Sequence, residues 1–212
     1  MSAGPQRMQF LTHVLAVVAG LALYWFGVVE GIRIPIIADA LYGFHIVGDL
    51  AAFWLPMTYA VMVGSLLQLL VPLALAGYFL LFHRDYRGVS LMFALAAYSA
   101  HQVSTYIADA PYQLVSIGPG HRLFDWAVVL GSSGLNRLDA VDELAWVVRV
   151  VAILAMLCSI GFGVWGAVRV LLERENVERL DAYLLQSDAQ VRDAARARQS
   201  AASREFDEKA SP

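Results

Sequence analysis

Residues 59–82 read YAVMVGSLLQLLVPLALAGYFLLF, a run without a single charged residue. An α-helix rises about 1.5 Å per residue, so this run is long enough to cross the roughly 30 Å hydrocarbon core of a bilayer. Inside lipid the backbone has no water to bond to, and an isolated segment must therefore be helical. Pro72 lies within the run and is expected to kink the helix, which neighbouring helices tolerate in a membrane.

Working outward, residues 8–29, 89–108 and 144–172 form three more long apolar runs. The composition agrees, with 59% hydrophobic residues, 16% charged residues and a mean hydropathy of +0.59. Soluble domains carry about 25% charged residues. The expected fold is all-α, an integral membrane bundle of about four transmembrane helices. The first run is longer than a secretory h-region and no small-x-small site follows it, so it reads as a retained helix.

The connections set an orientation. Arg7 precedes the first run, Arg84 and Arg87 lie between the second and third, and Arg169, Arg174 and Arg179 follow the fourth. The opposite side holds only Arg33, Arg122 and Arg137. The positive-inside rule then places both termini in the cytoplasm and the chain in the inner (plasma) membrane. The two outer connections are too apolar for solvated loops. Each is expected to form a short interfacial helix, one over residues 39–53 and one in HRLFDWAVVLGSSGL, with Trp126 as its anchor.

Beyond residue 172 the composition changes sharply, dividing the chain into a transmembrane domain, 1–172, and a charged tail, 173–212. The tail reads as a solvated helix that frays into disorder. Val177, Leu180 and Leu184 at helical spacing alternatively dock it on the membrane surface or on a protein partner. A net charge of −3 and the lack of a basic stripe exclude a nucleic-acid partner. The lone cysteine, Cys158, makes no intrachain disulfide and reads as a small buried apolar residue.

Ionisable residues beside membrane helices are costly and are functional candidates by default. His45 and Asp49 are four apart, and so are His121 and Asp125; Asp109 ends the third run. On a helix that spacing puts both side chains on one face. Imidazoles and carboxylates gathered at one depth suit zinc or another divalent metal such as manganese or iron. The alternative is that these groups merely solvate helix ends. His101 lies deeper and is read as a relay group, a haem ligand or a hydrogen-bonded core residue. Glu30 and Arg33 are placed to pair with each other.

FHIVGDL (44–50), GSLLQLLVPLALAGYFL (64–80), YIADA (106–110) and a histidine followed by Asp125-Trp126 occur in that order. This pattern resembles small bacterial multi-pass membrane proteins related to the site-2-type zinc metalloproteases, whose motifs run HExGH, Gln-Leu-Leu-x-Pro, YIADA and His-Asp-Trp. The resemblance covers residues 44–172. It implies a metal held by His45, Asp49, Asp109 and His121, with Asp49 replacing the second histidine of HExGH. Two departures matter. The catalytic glutamate position is Ile46, which cannot take a proton from a metal-bound water. Residues 122–124 also separate His121 from Asp125-Trp126. The resemblance thus implies a metal-binding pseudoenzyme, or an enzyme that has recruited another base such as Asp125. Two other functions stay open: a non-enzymatic scaffold or complex subunit acting through the tail, and a b-type haem subunit using His45 with His101.

Overall fold

The computed structural model describes the backbone of residues 4–114, 116–118, 121–122 and 125–210, and the side chains of residues 7–114, 125–193 and 196. The chain is helical: α1 Gly4–Tyr24, α2 Pro35–Ala51, α3 Met57–Tyr78, α4 Tyr86–Ala108, α5 Asp125–Leu130 and α6 Val141–Ala210. Single π-helical turns, Trp25–Val29 and Phe79–His83, extend α1 and α3. A small antiparallel ribbon, β1 Ser116–Gly118 with β2 His121–Arg122, lies between α4 and α5.

Contacts divide the chain into two compact units, Met1–Ala167 and Val168–Pro212. The second is a helical segment as far as Ala210, laced by i,i+4 ion pairs such as Arg174–Glu178. Val177, Leu180 and Leu184 are all exposed on it.

Among the described residues, three helical segments are long and apolar enough to cross a membrane: Arg7–Val29, Met57–His83 and Leu138–Asp193. Only 22%, 22% and 28% of their most apolar windows are buried, so most of that apolar surface faces outward rather than into a core. Water would oppose such exposure and lipid does not. The fourth expected span, α4, falls short on composition because Ser90, Ser99, His101, Gln102 and Ser104 dilute it. Those polar residues are tolerated because α4 is the most enclosed helix of the first unit, with Val89, Ala96, Ala97, Ala100 and Ile107 all at 0% exposure.

Small residues set the packing around α4. Gly20 of α1 abuts Ala94, and Gly27 lies against the ring of Tyr98. Ser159 of α6 donates to the Ser90 carbonyl at 2.7 Å. Phe162 stacks on Phe93, Gly163 meets Val17 and Ser90, and Gly166 meets His13 and Tyr86. His13, in the middle of α1 against Gly166, is buried and donates from Nδ1 to the Gln9 carbonyl. Cys158 is exposed rather than buried, on the outward apolar surface of α6.

α2 and α3 form a helical hairpin joined by residues 52–56. Pro35 opens α2 at its first turn, where a missing N–H costs nothing, so the helix starts four residues before the expected residue 39. α3 runs on through Pro72, which is buried. Asp85 caps α4 by accepting the Arg87 backbone N–H at 3.2 Å. Burial alone would raise its carboxyl, but the hydrogen bonds and charge of Arg87 outweigh that and hold it below the ordinary range.

Candidate metal centre

The site is built where α2, α3 and α5 meet. A Cβ on Gly48 would collide with the Gly64 backbone, and one on Gly64 would run into the Asp49 carboxylate and the His45 carbonyl. The two glycines let α2 and α3 cross backbone to backbone, which clamps the His45–Asp49 face of α2 against α3. The third element, α5, is fixed on α3 by Trp126, whose indole N–H donates to Ser65 Oγ at 3.2 Å. Trp126 is buried in a cluster with Val61, Val103, Ile107 and Val129. It is therefore an internal strut and not the membrane-interface anchor expected from sequence.

His45, Asp49 and Asp125 each offer one ligand atom, and these atoms lie within 4.8 Å of one another. His45 Nε2 is 2.9 Å from Asp125 Oδ2 and 3.5 Å from Asp49 Oδ2. Ligands about 2.0–2.2 Å from a tetrahedral ion sit roughly 3.3–3.6 Å apart, so the spacing is close to that of a coordination shell. His45 is 1% exposed. Its Nδ1 and Asp49 Oδ1 are buried without hydrogen-bond partners. Unmet polar atoms of this kind are rare in folded proteins and concentrate at functional sites. Burial raises the Asp49 carboxyl above its ordinary value; His45 partly offsets this and Asp125 adds to it.

Tyr42 completes the cluster. It stands one turn before His45 on α2, with ring centroids 6.0 Å apart and planes at 22°. Burial raises its phenol, and the charges of Asp125 and Asp49 raise it further, so it stays a proton donor. The sequence signal for Tyr42 was present: it occupies position i−3 of His45 on the face that carries Asp49. In sequence alone a tyrosine in an apolar helix resembles packing.

The expected metal residues fare differently. His45 and Asp49 share one site, as their spacing implied. Asp125 joins them, whereas Asp109 is not part of the cluster; its Oδ1 accepts the Leu114 N–H at 2.9 Å just beyond α4. The backbone of His121 is in β2 and α5 begins only at Asp125, so the helical i,i+4 argument for that pair does not hold. The His121 side chain lies outside the described residues. Arg33 pairs with Asp39 rather than with Glu30. His101 lines a cavity on α4, while His45 Nε2 faces the carboxylates of Asp125 and Asp49.

Comparison with protein-family models, curated proteins and solved structures returns no match to this chain.

Proposed function

We propose that this chain is a multi-pass membrane protein that holds one divalent metal ion through His45, Asp49 and Asp125 at the outer boundary of the bilayer. The carrying observation is the convergence of one imidazole and two carboxylates from α2 and α5 within 4.8 Å, with His45 Nε2 facing an oxygen of each carboxylate. One nitrogen and two oxygen donors without a thiolate suit zinc, manganese or iron(II). Three protein ligands leave room for water or for a substrate group. Tyr42 is the adjacent proton donor.

The proposal includes four crossings. α4 follows α3 after a short turn and lies back along it: Phe79 packs on Gly88, and Ser99 Oγ donates to the Gln68 carbonyl at 3.0 Å. A helix laid antiparallel along a membrane span has to cross the same bilayer. With α1, α3, α4 and α6 crossing, the distribution of arginines puts both termini in the cytoplasm and the metal on the outer face.

The resemblance to site-2-type metalloproteases supports the metal and argues against the protease reaction. Ile46, next to His45, has no proton to exchange, and Asp125, 2.9 Å from His45 Nε2, is taken in this reading as a ligand rather than as a base. The reading is thus a metal-binding membrane protein without ordinary metalloprotease chemistry. Metal analysis of the detergent-purified chain tests it. About one ion per chain is expected, falling by on the order of 100-fold in affinity when His45 or Asp125 becomes alanine. Metal-free protein whose stability ignores both chelator and added zinc, manganese or iron would end the proposal.

A second reading rests on the exposed Val177, Leu180 and Leu184 of the second unit, which suit a cytoplasmic protein partner. Truncation after residue 172 separates the two. Under the metal reading the shortened chain still loads its ion.

A further inference from the structure

A cavity of about 200 Å³ lies among the π turn after α1, the start of α2 and α4. Its polar wall is Arg33, Tyr98, His101, Gln102, Thr105 and Tyr106, and among the described residues no carboxylate lines it. Asp39, which pairs with Arg33, is not part of the lining. The Tyr98 hydroxyl accepts the Ile34 N–H at 3.5 Å and keeps its own proton to donate. The Tyr106 hydroxyl has no hydrogen-bond partner among the described residues. This wall is rich in donors, and its one guanidinium, Arg33, is shared with Asp39 outside the lining.

A second observation comes from α6. Arg149 is exposed and outside the cavity lining, next to Val148, which packs against the cluster that holds Val103 and Ile107 of α4. It forms no ion pair or hydrogen bond with any described residue. Residues 150–167 follow it without a charge. At about 1.5 Å per residue that stretch is roughly 27 Å long, close to the hydrocarbon thickness of a bilayer. Arg149 is thus the charge at the outer end of that stretch, within reach of the lipid headgroups for a long side chain. A lone cation at that depth is stabilised by an anion, and phosphate esters are the anions the headgroup layer supplies.

We propose that the cavity, with Arg149 beside it, is a binding site for a phosphate group. Arg33 and Arg149 supply charge, and Tyr98, Tyr106 and the Gln102 amide supply hydrogen bonds. Guanidinium groups suit phosphate because their forked N–H groups match two of its oxygens. The group arrives either on a lipid headgroup or as a free phosphate. The site rests on the membrane reading above and does not depend on the metal.

Native mass spectrometry and ligand titration of the detergent-purified full chain test this. The probes are phosphatidylglycerol, a neutral glycosyl diacylglycerol with the same acyl chains, and inorganic phosphate. One phosphatidylglycerol per chain is expected, bound about tenfold or more tightly than the glycolipid, the value of one charge-assisted contact. Arg149→Gln should weaken it by about tenfold, and Tyr106→Phe by about threefold. Neither variant should alter the melting temperature in lipid-free detergent or the metal content. Inorganic phosphate that displaces the lipid would identify a free anion as the occupant, and failure to displace it would identify the lipid. Equal phosphatidylglycerol affinity in wild type and Arg149→Gln, or equal affinity for the neutral glycolipid, would overturn the proposal. Release of the chain from membranes by alkaline carbonate without detergent would instead remove the membrane reading beneath it.

Discussion

Two glycine-mediated contacts in the first unit use the same device to different ends. Gly48 and Gly64 bring α2 and α3 together, and Gly20, Gly163 and Gly166 bring α1, α4 and α6 together. In the second contact the neighbours are Ala94, Val17, Ser90 and His13, side chains that fill space and satisfy one another. In the first, the neighbour of Gly64 is a carboxylate with an unmet oxygen. Close backbone approach is therefore a scaffold in one place and the wall of a site in the other. What distinguishes them is the chemistry that the approach confines.

The sharpest way to break this contrast is to add one methyl group on each side of it. Gly64→Ala should force Asp49 away and disturb the hairpin, costing about 1–3 kcal/mol in stability. It should also abolish stoichiometric metal loading, read by metal analysis beside thermal melting in detergent. Gly163→Ala should cost a comparable 1–3 kcal/mol, about the usual value for overpacking, and leave metal loading intact. Loss of metal in both variants would show that the two contacts are one unit.

Trp126→Phe probes the strut between α5 and α3. Removing the indole donor leaves Ser65 Oγ without it and should cost about 1 kcal/mol. Because Asp125 is the next residue, metal affinity should fall about 10–100-fold, as it does when ligand-supporting residues are lost elsewhere. Unchanged affinity, measured by competition with a chelating dye, would mean that α5 is positioned by its apolar contacts alone.

Asp85→Ala, far from the site, should cost about 1 kcal/mol through the lost α4 cap, with Asp85→Asn close to wild type. The Asp85 carboxyl is held below its unfolded value, so its stabilisation is present above that value and disappears as pH falls through the folded one. The difference between wild type and Asp85→Asn should therefore shrink on strong acidification.

The smallest effect concerns Asp49. Its carboxyl is raised in the folded chain, so without metal its contribution favours folding at acid pH and is lost as pH rises through the folded value. Metal-free Asp49→Asn should be slightly more stable than wild type at neutral pH, by less than about 1 kcal/mol given its partial exposure. The difference should vanish at acid pH. Saturating metal should reverse the order, because the ion needs the carboxylate.

Much of this architecture is legible in residue order. Charge-free runs over 59–82 and 8–29 specify helices long and apolar enough to cross a membrane. The four-residue spacing of His45 and Asp49 places both on one helix face. The hidden part depends on chain folding that local pattern does not encode. Asp109 and Asp125 look alike in sequence as carboxylates at apolar boundaries. The second reaches His45 because α5 docks through Trp126 on Ser65 and on the apolar cluster, while the first turns back to accept the Leu114 N–H. Trp126 was misleading for a related reason: an indole flanked by apolar residues suits a lipid interface and a protein interior equally well. α4 was ambiguous by composition because its polar residues have protein partners, which a hydropathy window does not register.

His45 and Asp125 are separated by 80 positions along the chain. During membrane insertion the imidazole emerges well before the carboxylate that completes its cluster. An ion held between them would act as a removable staple across that loop, reducing the freedom of the disassembled chain as well as filling a site. Chelation should then loosen the association of the early and late halves of the bundle, so that a metal-depleted membrane accumulates chains whose helices have inserted but whose last elements have not docked.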